Sequence, residues 1–210
     1  MVSAARAACG ATVSGVLVAF GTQDLHKFFL SAQNCKPTFM GENFMKIKTD
    51  RLYICNLCEN DWKEMKCLFI DFMHSKYASY DSPLPVEDAE VQALTRQFVD
   101  SNLFFAVYLL DTNQMIGYVC FHKDEEKYDL GYLFHSAFHA NGYAYESTKA
   151  VIEYFVRECN ATDFKAETAI DNTPSCKLLE KLGFVCTSIQ PVSFVDNFSF
   201  KSGNFVMSIN

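Results

Sequence analysis

What most constrains this chain is the run from Tyr128 to Phe134, followed by a short loop, a helix-spaced stretch from Gly142 to Glu158 and a β-rich run from Asp163 to Ile170. A strand, a helix and a strand in that order predict a crossover between two parallel strands, because a right-twisted strand feeding a helix packs back onto its sheet only that way. Upstream, Leu103 to Leu110 is an unbroken apolar run, Asp111-Thr-Asn-Gln a turn and Met115 to Phe121 a returning strand, and a charged turn from Lys123 to Lys127 leads into Tyr128. That is a hairpin followed by a third antiparallel strand. Alternation puts Tyr128, Leu130, Tyr132 and Phe134 on one face of the third strand, with Asp129, Gly131 and Leu133 on the other.

The flanking segments complete an α/β (α+β) pattern. Arg51 to Leu57 reads as a strand ended by Glu59-Asn60-Asp61, and Asn60 or Asp61 can cap the helix from Trp62 to Met73, whose apolar residues fall at Trp62, Met65, Leu68, Phe69 and Phe72. Asp81-Ser-Pro-Leu-Pro marks a loop before a second helix from Glu87 to Asp100, and these two helices are expected to wall a substrate pocket. The inner stripe of the 142–158 helix is Ala144, Thr148, Val151 and Phe155. A last helix, Asn172 to Leu182, ends at Gly183, and Phe184 to Ser188 and Phe205 to Ile209 form a closing strand pair. The sum is a mixed, mostly antiparallel central sheet of six to seven strands flanked by about four helices.

Met45-Lys-Ile-Lys-Thr-Asp-Arg-Leu opens one domain spanning residues 45–210. Residues 1–44 are an extension of unknown role: a linker, a disordered tail or a misplaced start. Their apolar part, Ala4 to Phe20, is too short and too broken by glycine to span a membrane. A net charge of -7 argues against non-specific nucleic-acid binding and suits a cationic substrate such as an amine. Nine cysteines without regular spacing read as reduced thiols of a cytoplasmic protein. Cys55 and Cys58 form a Cys-x-x-Cys, read as core cysteines because no second ligand pair accompanies them to hold zinc, so no metal is expected. The chain also lacks a Gly-x-x-x-x-Gly-Lys-Ser/Thr loop, and no Gly-x-Gly-x-x-Gly follows its first strand, which excludes two common nucleotide-phosphate folds.

Chemistry enters at His139-Ala140-Asn141-Gly142-Tyr143-Ala144, after a strand and before a helix. A helix start presents several unpaired N–H groups and about half a positive charge, so a pyrophosphate can dock there without a basic side chain. Glycine at the turn avoids collision with the phosphate or a strained backbone. Glu146, one turn on, complements the helix dipole and can orient the loop. In the last helix Asn172 is an N-cap, and Ser175 lies in its first turn.

In order, Thr49-Asp-Arg-Leu, Met115-Ile-Gly, Asp129-Leu-Gly-Tyr, Asn141-Gly-Tyr-Ala-Tyr-Glu and Asn172-Thr-Pro-Ser-Cys-Lys-Leu-Leu-Glu-Lys-Leu-Gly-Phe resemble the GNAT superfamily of N-acetyltransferases, RimJ/RimL type, from about Met45 to the C-terminus. The resemblance implies direct transfer of an acetyl group from acetyl-CoA to a primary amine, either a protein N-terminal α-amine or a small molecule, by a monomer or homodimer. A catalytically silent acyl-CoA-binding domain, serving as sensor or interaction module, is the alternative. It implies a splayed parallel strand pair that admits the pantetheine arm, with the backbone of Leu133, Phe134 and His135 lining it and an N–H near Leu133 polarising the thioester. Residues 139–144 would hold the pyrophosphate, Asn172 the pantetheine and Lys177 the adenosine phosphates. Asp129 becomes the general base, and Ser175 the partner of the departing thiolate. The superfamily's loop usually begins with Gln or Arg; here it begins with His139, whose neutral imidazole can donate one hydrogen bond to a phosphate.

Overall fold

The computed structural model describes residues 45–124, 127–193 and 199–209. Among these residues eight strands form one sheet: β1 (Lys46–Lys48), β2 (Leu52–Asn56), β3 (Phe104–Leu109), β4 (Met115–Asp124), β5 (Lys127–Phe134), β6 (Asp163–Ala169), β7 (Val185–Ser193) and β8 (Ser199–Ser208). Their order is β1-β2-β3-β4-β5-β6-β8-β7, and β5 with β6 is the one parallel neighbour pair among the described strands. Helices α1 (Trp62–Met73) and α2 (Asp88–Ser101) cover one face, and α3 (Tyr143–Cys159) and α4 (Thr173–Leu182) cover the other.

Each face is set by the two-residue alternation of the strands. Leu130, Tyr132 and Phe134 of β5 join Phe105, Phe121 and Phe164 under α3, where Phe155 lies with its ring centroid 4.6 Å from that of Phe121. Leu133 of β5 joins Ala106, Tyr118 and Cys120 on the opposite side, beneath Met65, Leu68, Phe69 and Phe72 of α1. There Phe98 of α2 stacks on Phe104, 3.9 Å between centroids. Burying each of these rings contributes about 2–3 kcal/mol, so aromatic packing binds α1, α2 and α3 to the sheet, while α4 is held through buried Leu179.

The parallel pair is incomplete. Its ladder consists of Tyr128↔Phe164 and Asp129↔Lys165. Beyond those residues β5 stays with β4 as far as Gly117↔Phe134, and β6 stays with β8 as far as Ala169↔Ser202. The two strands therefore part from Leu130 onward, and a wedge opens toward the end of β5. At that end β4 carries a bulge: Val107 faces Gly117 while Tyr108 faces Met115, leaving Ile116 as the extra residue. Bulges bend a strand and increase its twist. Gly117 lets β5 close in on the bent strand, because a Cβ there would overlap the Leu133 carbonyl oxygen and the Phe134 ring.

Two differences from the sequence reading stand out. The closing strands are longer than predicted, because β7 is an edge strand exposed at nearly every position and so lacks the alternation that marks a half-buried strand. Cys58 is exposed, not a core residue, since β2 ends at Asn56 and Cys58 sits in the following turn; Cys55 is half-buried. No helix among the described residues is long and apolar enough to cross a membrane.

The close approach at Gly117 generates a test. Gly117→Ala should lower unfolding stability by about 1–3 kcal/mol through forced separation of β4 and β5, read from urea denaturation curves. An unchanged midpoint would show that the two strands have slack at the end of the wedge.

Candidate functional site

The wedge between β5 and β6 leads to the start of α3 through the segment 135–142. A short helical turn, Ser136–Phe138, follows β5, and the chain then passes through two left-handed residues, Ala140 at φ 61° and Gly142 at φ 81°. Left-handed backbone costs an L-residue about 1–2 kcal/mol, so Ala140 keeps this shape because its surroundings impose it. Asn141 helps, its Nδ2 donating to the carbonyls of His139 and Phe138 at 2.9 and 3.3 Å. A Cβ on Gly142 would meet only the Arg51 guanidinium at 3.5 Å, so backbone conformation, not crowding within the chain, selects glycine there. No described side chain caps α3, and the first-turn N–H groups of Tyr143, Ala144 and Tyr145 are left for another acceptor. The start of α3 thus presents open backbone N–H groups beside a left-handed turn.

What holds the cradle in place was only half visible in the sequence. Glu146 reaches from the first turn of α3 to the β1–β2 turn, accepting from Thr49 Oγ1 at 2.6 Å, from the Arg51 amide at 3.1 Å and from Arg51 Nε at 2.8 Å. Arg51 Nη1 donates back to the Asn141 carbonyl at 3.0 Å, and the guanidinium lies 4.5 Å from the centre of the Tyr143 ring. On the other side, Asp71 of α1 accepts from both the amide and the hydroxyl of Ser136, at 2.8 and 2.6 Å. One carboxylate on each side of the sheet therefore anchors the loop. His135 Nδ1 accepts the Ala137 N–H at 3.2 Å and lies 3.7 Å from Asp71 Oδ1.

His139 departs from expectation. Its Nε2 lies 2.7 Å from the carbonyl oxygen of Phe134, which takes the one proton of a neutral ring. A neutral His139 therefore has no N–H left for a phosphate, and its role here is to tie the loop to the end of β5. The donor foreseen near Leu133 also shifts. The His135 amide donates to Ile116 of β4, and the Leu133 carbonyl faces Gly117 of the same strand. Alternation of backbone groups then turns the N–H groups of Tyr132 and Phe134, not of Leu133, toward the wedge.

Across the wedge, α4 begins at Asn172, whose Oδ1 accepts the Ser175 amide at 3.4 Å, and ends at Gly183, φ 100°. Asn172 and Ser175 are both buried, and Ser175 Oγ lies 2.6 Å from the hydroxyl of Tyr132 on β5. Sequence reasoning missed Tyr132 as a partner of Ser175, because a tyrosine on the aromatic face of a strand looks like packing alone. Lys177 is exposed on α4. On the α1 face, Asp129 Oδ2 lies 3.8 Å from Lys165 Nζ, and His122 is its ladder partner on β4. Burial, followed by the charge of Lys165, pushes the His122 imidazole down to about 4, so it is neutral at physiological pH.

A cavity of about 730 Å³ lies elsewhere on the α1 face, between Tyr53, Tyr108 and Met115 of the sheet and Asp61, Glu64 and Leu68 of the α1 segment. It meets the loop only at His135 and Phe138, and the Asp61 carboxylate within it accepts from the Tyr108 hydroxyl at 2.6 Å. The wedge, not this cavity, carries the open backbone donors. Among the described residues, no group of three or more His, Cys, Asp or Glu side chains is arranged to hold a metal ion.

The parallel strand pair thus parts above a helix start that no described side chain caps. Residues 51–185 match the acetyltransferase (GNAT) domain, and the chain belongs to that family. It is 30% identical over 141 residues to the uncharacterized N-acetyltransferase YnaD of Bacillus subtilis, across 66% of this chain and 82% of that one. Among solved structures it superposes on a GNAT-family acetyltransferase from Bacillus anthracis with a TM-score of 0.69 at 23% identity, covering 78% of this chain and 98% of that one. It also superposes on RimL, the ribosomal L7/L12 α-N-protein acetyltransferase in complex with coenzyme A, with a TM-score of 0.66 at 14% identity, over 79% and 98% of the two chains. These two likenesses are of fold.

The Glu146 anchor predicts a pH response. Burial works to raise its carboxyl, but the hydrogen bonds from Thr49 and Arg51 and the Arg51 charge outweigh it and hold the group below its ordinary 4.5. A depressed folded value means that the ionised carboxylate stabilises the fold above about pH 4.5, a contribution lost as pH falls through the folded value. Glu146→Gln should reduce stability at neutral pH by about 1 kcal/mol, since Arg51 is half-exposed. It should also flatten the acid limb of the stability profile below pH 4.5, read by thermal melts across pH; an acid limb as steep as the parent's would remove Glu146 as its source.

Proposed function

We propose that the protein transfers an acetyl group from acetyl-CoA to a primary amine by direct attack, most plainly a protein N-terminal α-amine, with a small-molecule amine as the other acceptor class. The observation that carries this reading is the wedge between β5 and β6 ending at an uncapped helix start. The backbone amides of 142–145 suit a pyrophosphate, and the wedge suits an extended pantetheine arm. RimL was solved with coenzyme A and acts, by its name, on a protein α-amine. The net charge of -7 fits a cationic acceptor, and the scattered cysteines fit a cytoplasmic setting.

In this reading the cradle residues Ala140 to Ala144 hold the diphosphate of acetyl-CoA, and Asn172 contacts its pantetheine arm. Lys177, exposed on α4, is free to approach the adenosine phosphates. The bound donor supplies an activated acetyl thioester. The Phe134 amide, turned toward the wedge, polarises the thioester carbonyl and stabilises developing negative charge. Asp129, on the α1 and α2 face and five residues back along β5, accepts by way of intervening water the proton that the amine must lose. The connection between α1 and α2 reaches over that face as well, where Tyr80 packs against Phe200 of β8 with centroids 5.1 Å apart, and it bounds the acceptor's approach. Ser175 meets the departing sulfur. Holding amine and thioester in reach removes any need for a cysteine nucleophile.

A second reading is favoured by one observation, the commitment of His139 to the Phe134 carbonyl. That removes a side-chain phosphate contact and suits a silent acyl-CoA-binding domain. Calorimetric titration with acetyl-CoA, combined with thiol release over a panel of peptide N-termini, polyamines and amino acids, separates the two. Acetyl transfer predicts binding and turnover on at least one amine; binding without turnover on any of them supports the silent domain. On the best amine, Asp129→Asn should lower turnover about a hundredfold with unchanged acetyl-CoA affinity. A rate within a factor of two of the parent would put the base elsewhere.

A further inference from the structure

The hydroxyls of Tyr132 and Ser175 meet at 2.6 Å although their residues lie on different elements, one on β5 and one in the first turn of α4. β5 and β6 have already parted at Leu130, two residues before Tyr132, so this hydrogen bond spans the wedge from its β5 wall to the helix that follows β6. Both residues are buried, Tyr132 among Leu130, Phe134 and Leu179 and Ser175 under the Asn172 cap. A bond between two hydroxyls has two polarities. With serine as donor, its only proton is spent on the phenol; with tyrosine as donor, the serine proton is free to point elsewhere.

We propose that Tyr132 is a positioning residue that donates its phenolic proton to Ser175 Oγ, so that Ser175 aims its own O–H into the wedge at the sulfur of coenzyme A. This rests on the acetyl-transfer reading above and adds a residue and a polarity to it. Two chemical facts favour that polarity. A phenol is the better donor of the two and an alkyl hydroxyl oxygen the better acceptor. Burial, partly opposed by the Ser175 hydrogen bond, also raises the Tyr132 hydroxyl far above its ordinary range, so it keeps a proton to donate.

The step balances without a proton passing through the pair. The amine nitrogen bonds to the acetyl carbon, and its surplus proton goes to the general base. The carbon–sulfur bond breaks with its electron pair on sulfur, and coenzyme A leaves as a thiolate that accepts the Ser175 O–H. Hydrogen bonds to an anion are worth more than those to a neutral group, so the pair should lower the ionisation pH of bound coenzyme A.

That gives a readout independent of any acceptor: pH titration of coenzyme A bound to the protein, followed by thiolate ultraviolet absorbance against the protein alone. In the parent, bound coenzyme A should ionise at lower pH than the free thiol. Ser175→Ala should abolish most of that depression, a loss of about ten- to a hundredfold in the ionisation constant, and Tyr132→Phe should lose about three- to tenfold. Tyr132→Phe on the Ser175→Ala background should change nothing further, because its action passes through Ser175. Far-ultraviolet circular dichroism and coenzyme A affinity of each variant verify the fold and the site. Tyr132→Phe at the parent's ionisation pH, or additive losses in the double variant, would overturn the positioning role while leaving Ser175 in place. Bound coenzyme A that ionises like the free thiol in parent and Ser175→Ala alike would overturn the serine's role, and with it this inference. Failure of the parent to bind coenzyme A would instead overturn the acetyl-transfer reading itself.

Discussion

β5 is held along eight ladder positions by β4 and along two by β6. That unequal grip makes the wedge, and the wedge decides where everything else in the site falls. It turns one edge of β5, with the amides of Tyr132 and Phe134, away from a strand partner. It also leaves the helix after β6 facing β5 across a gap bridged by a side chain, Tyr132, instead of by backbone. The bulge at Ile116 and the bare Gly117 act at the same end, where β4 bends and β5 follows it. A continuous parallel ladder would close this sheet and leave no slot for an extended ligand.

The loop beyond the wedge works by a related economy. Its donors are backbone amides, so their directions are fixed by φ and ψ at Ala140 and Gly142 and by the carboxylates that hold the loop from either side, Glu146 and Asp71. Side chains serve mainly as braces. Arg51 spends its guanidinium on Glu146 and Asn141, and His139 spends its Nε2 on Phe134. The geometry of the loop therefore rests on backbone and braces.

Much of this was legible in the sequence because period and punctuation carry it. The two faces of β5, the buried stripe of α3 and the caps at Asn172 and Gly183 follow from local rules acting within a few residues. What stayed hidden depends on contacts far apart in the chain. Glu146 finds Thr49 and Arg51 from nearly a hundred positions away, and Tyr132 reads as one more aromatic until α4 brings Ser175 to it. The one-residue shift from Leu133 to Phe134 was out of reach for another reason: side-chain alternation says which face a residue occupies, whereas the direction of its N–H depends on pairing with Ile116 and Gly117. β7 was cut short because an edge strand exposed on both faces leaves no alternation to read.

The central claim is that backbone amides at the end of the wedge form the ligand cradle. Amide chemical-shift mapping with nitrogen-15-labelled protein, titrated with coenzyme A, addresses it directly. The account predicts the largest changes at Gly142, Tyr143, Ala144 and Tyr145 and at the Phe134 amide, with the cavity around Tyr53 and Tyr108 unaffected. Saturable shifts centred on that cavity, with the amides of 142–145 unmoved, would contradict it.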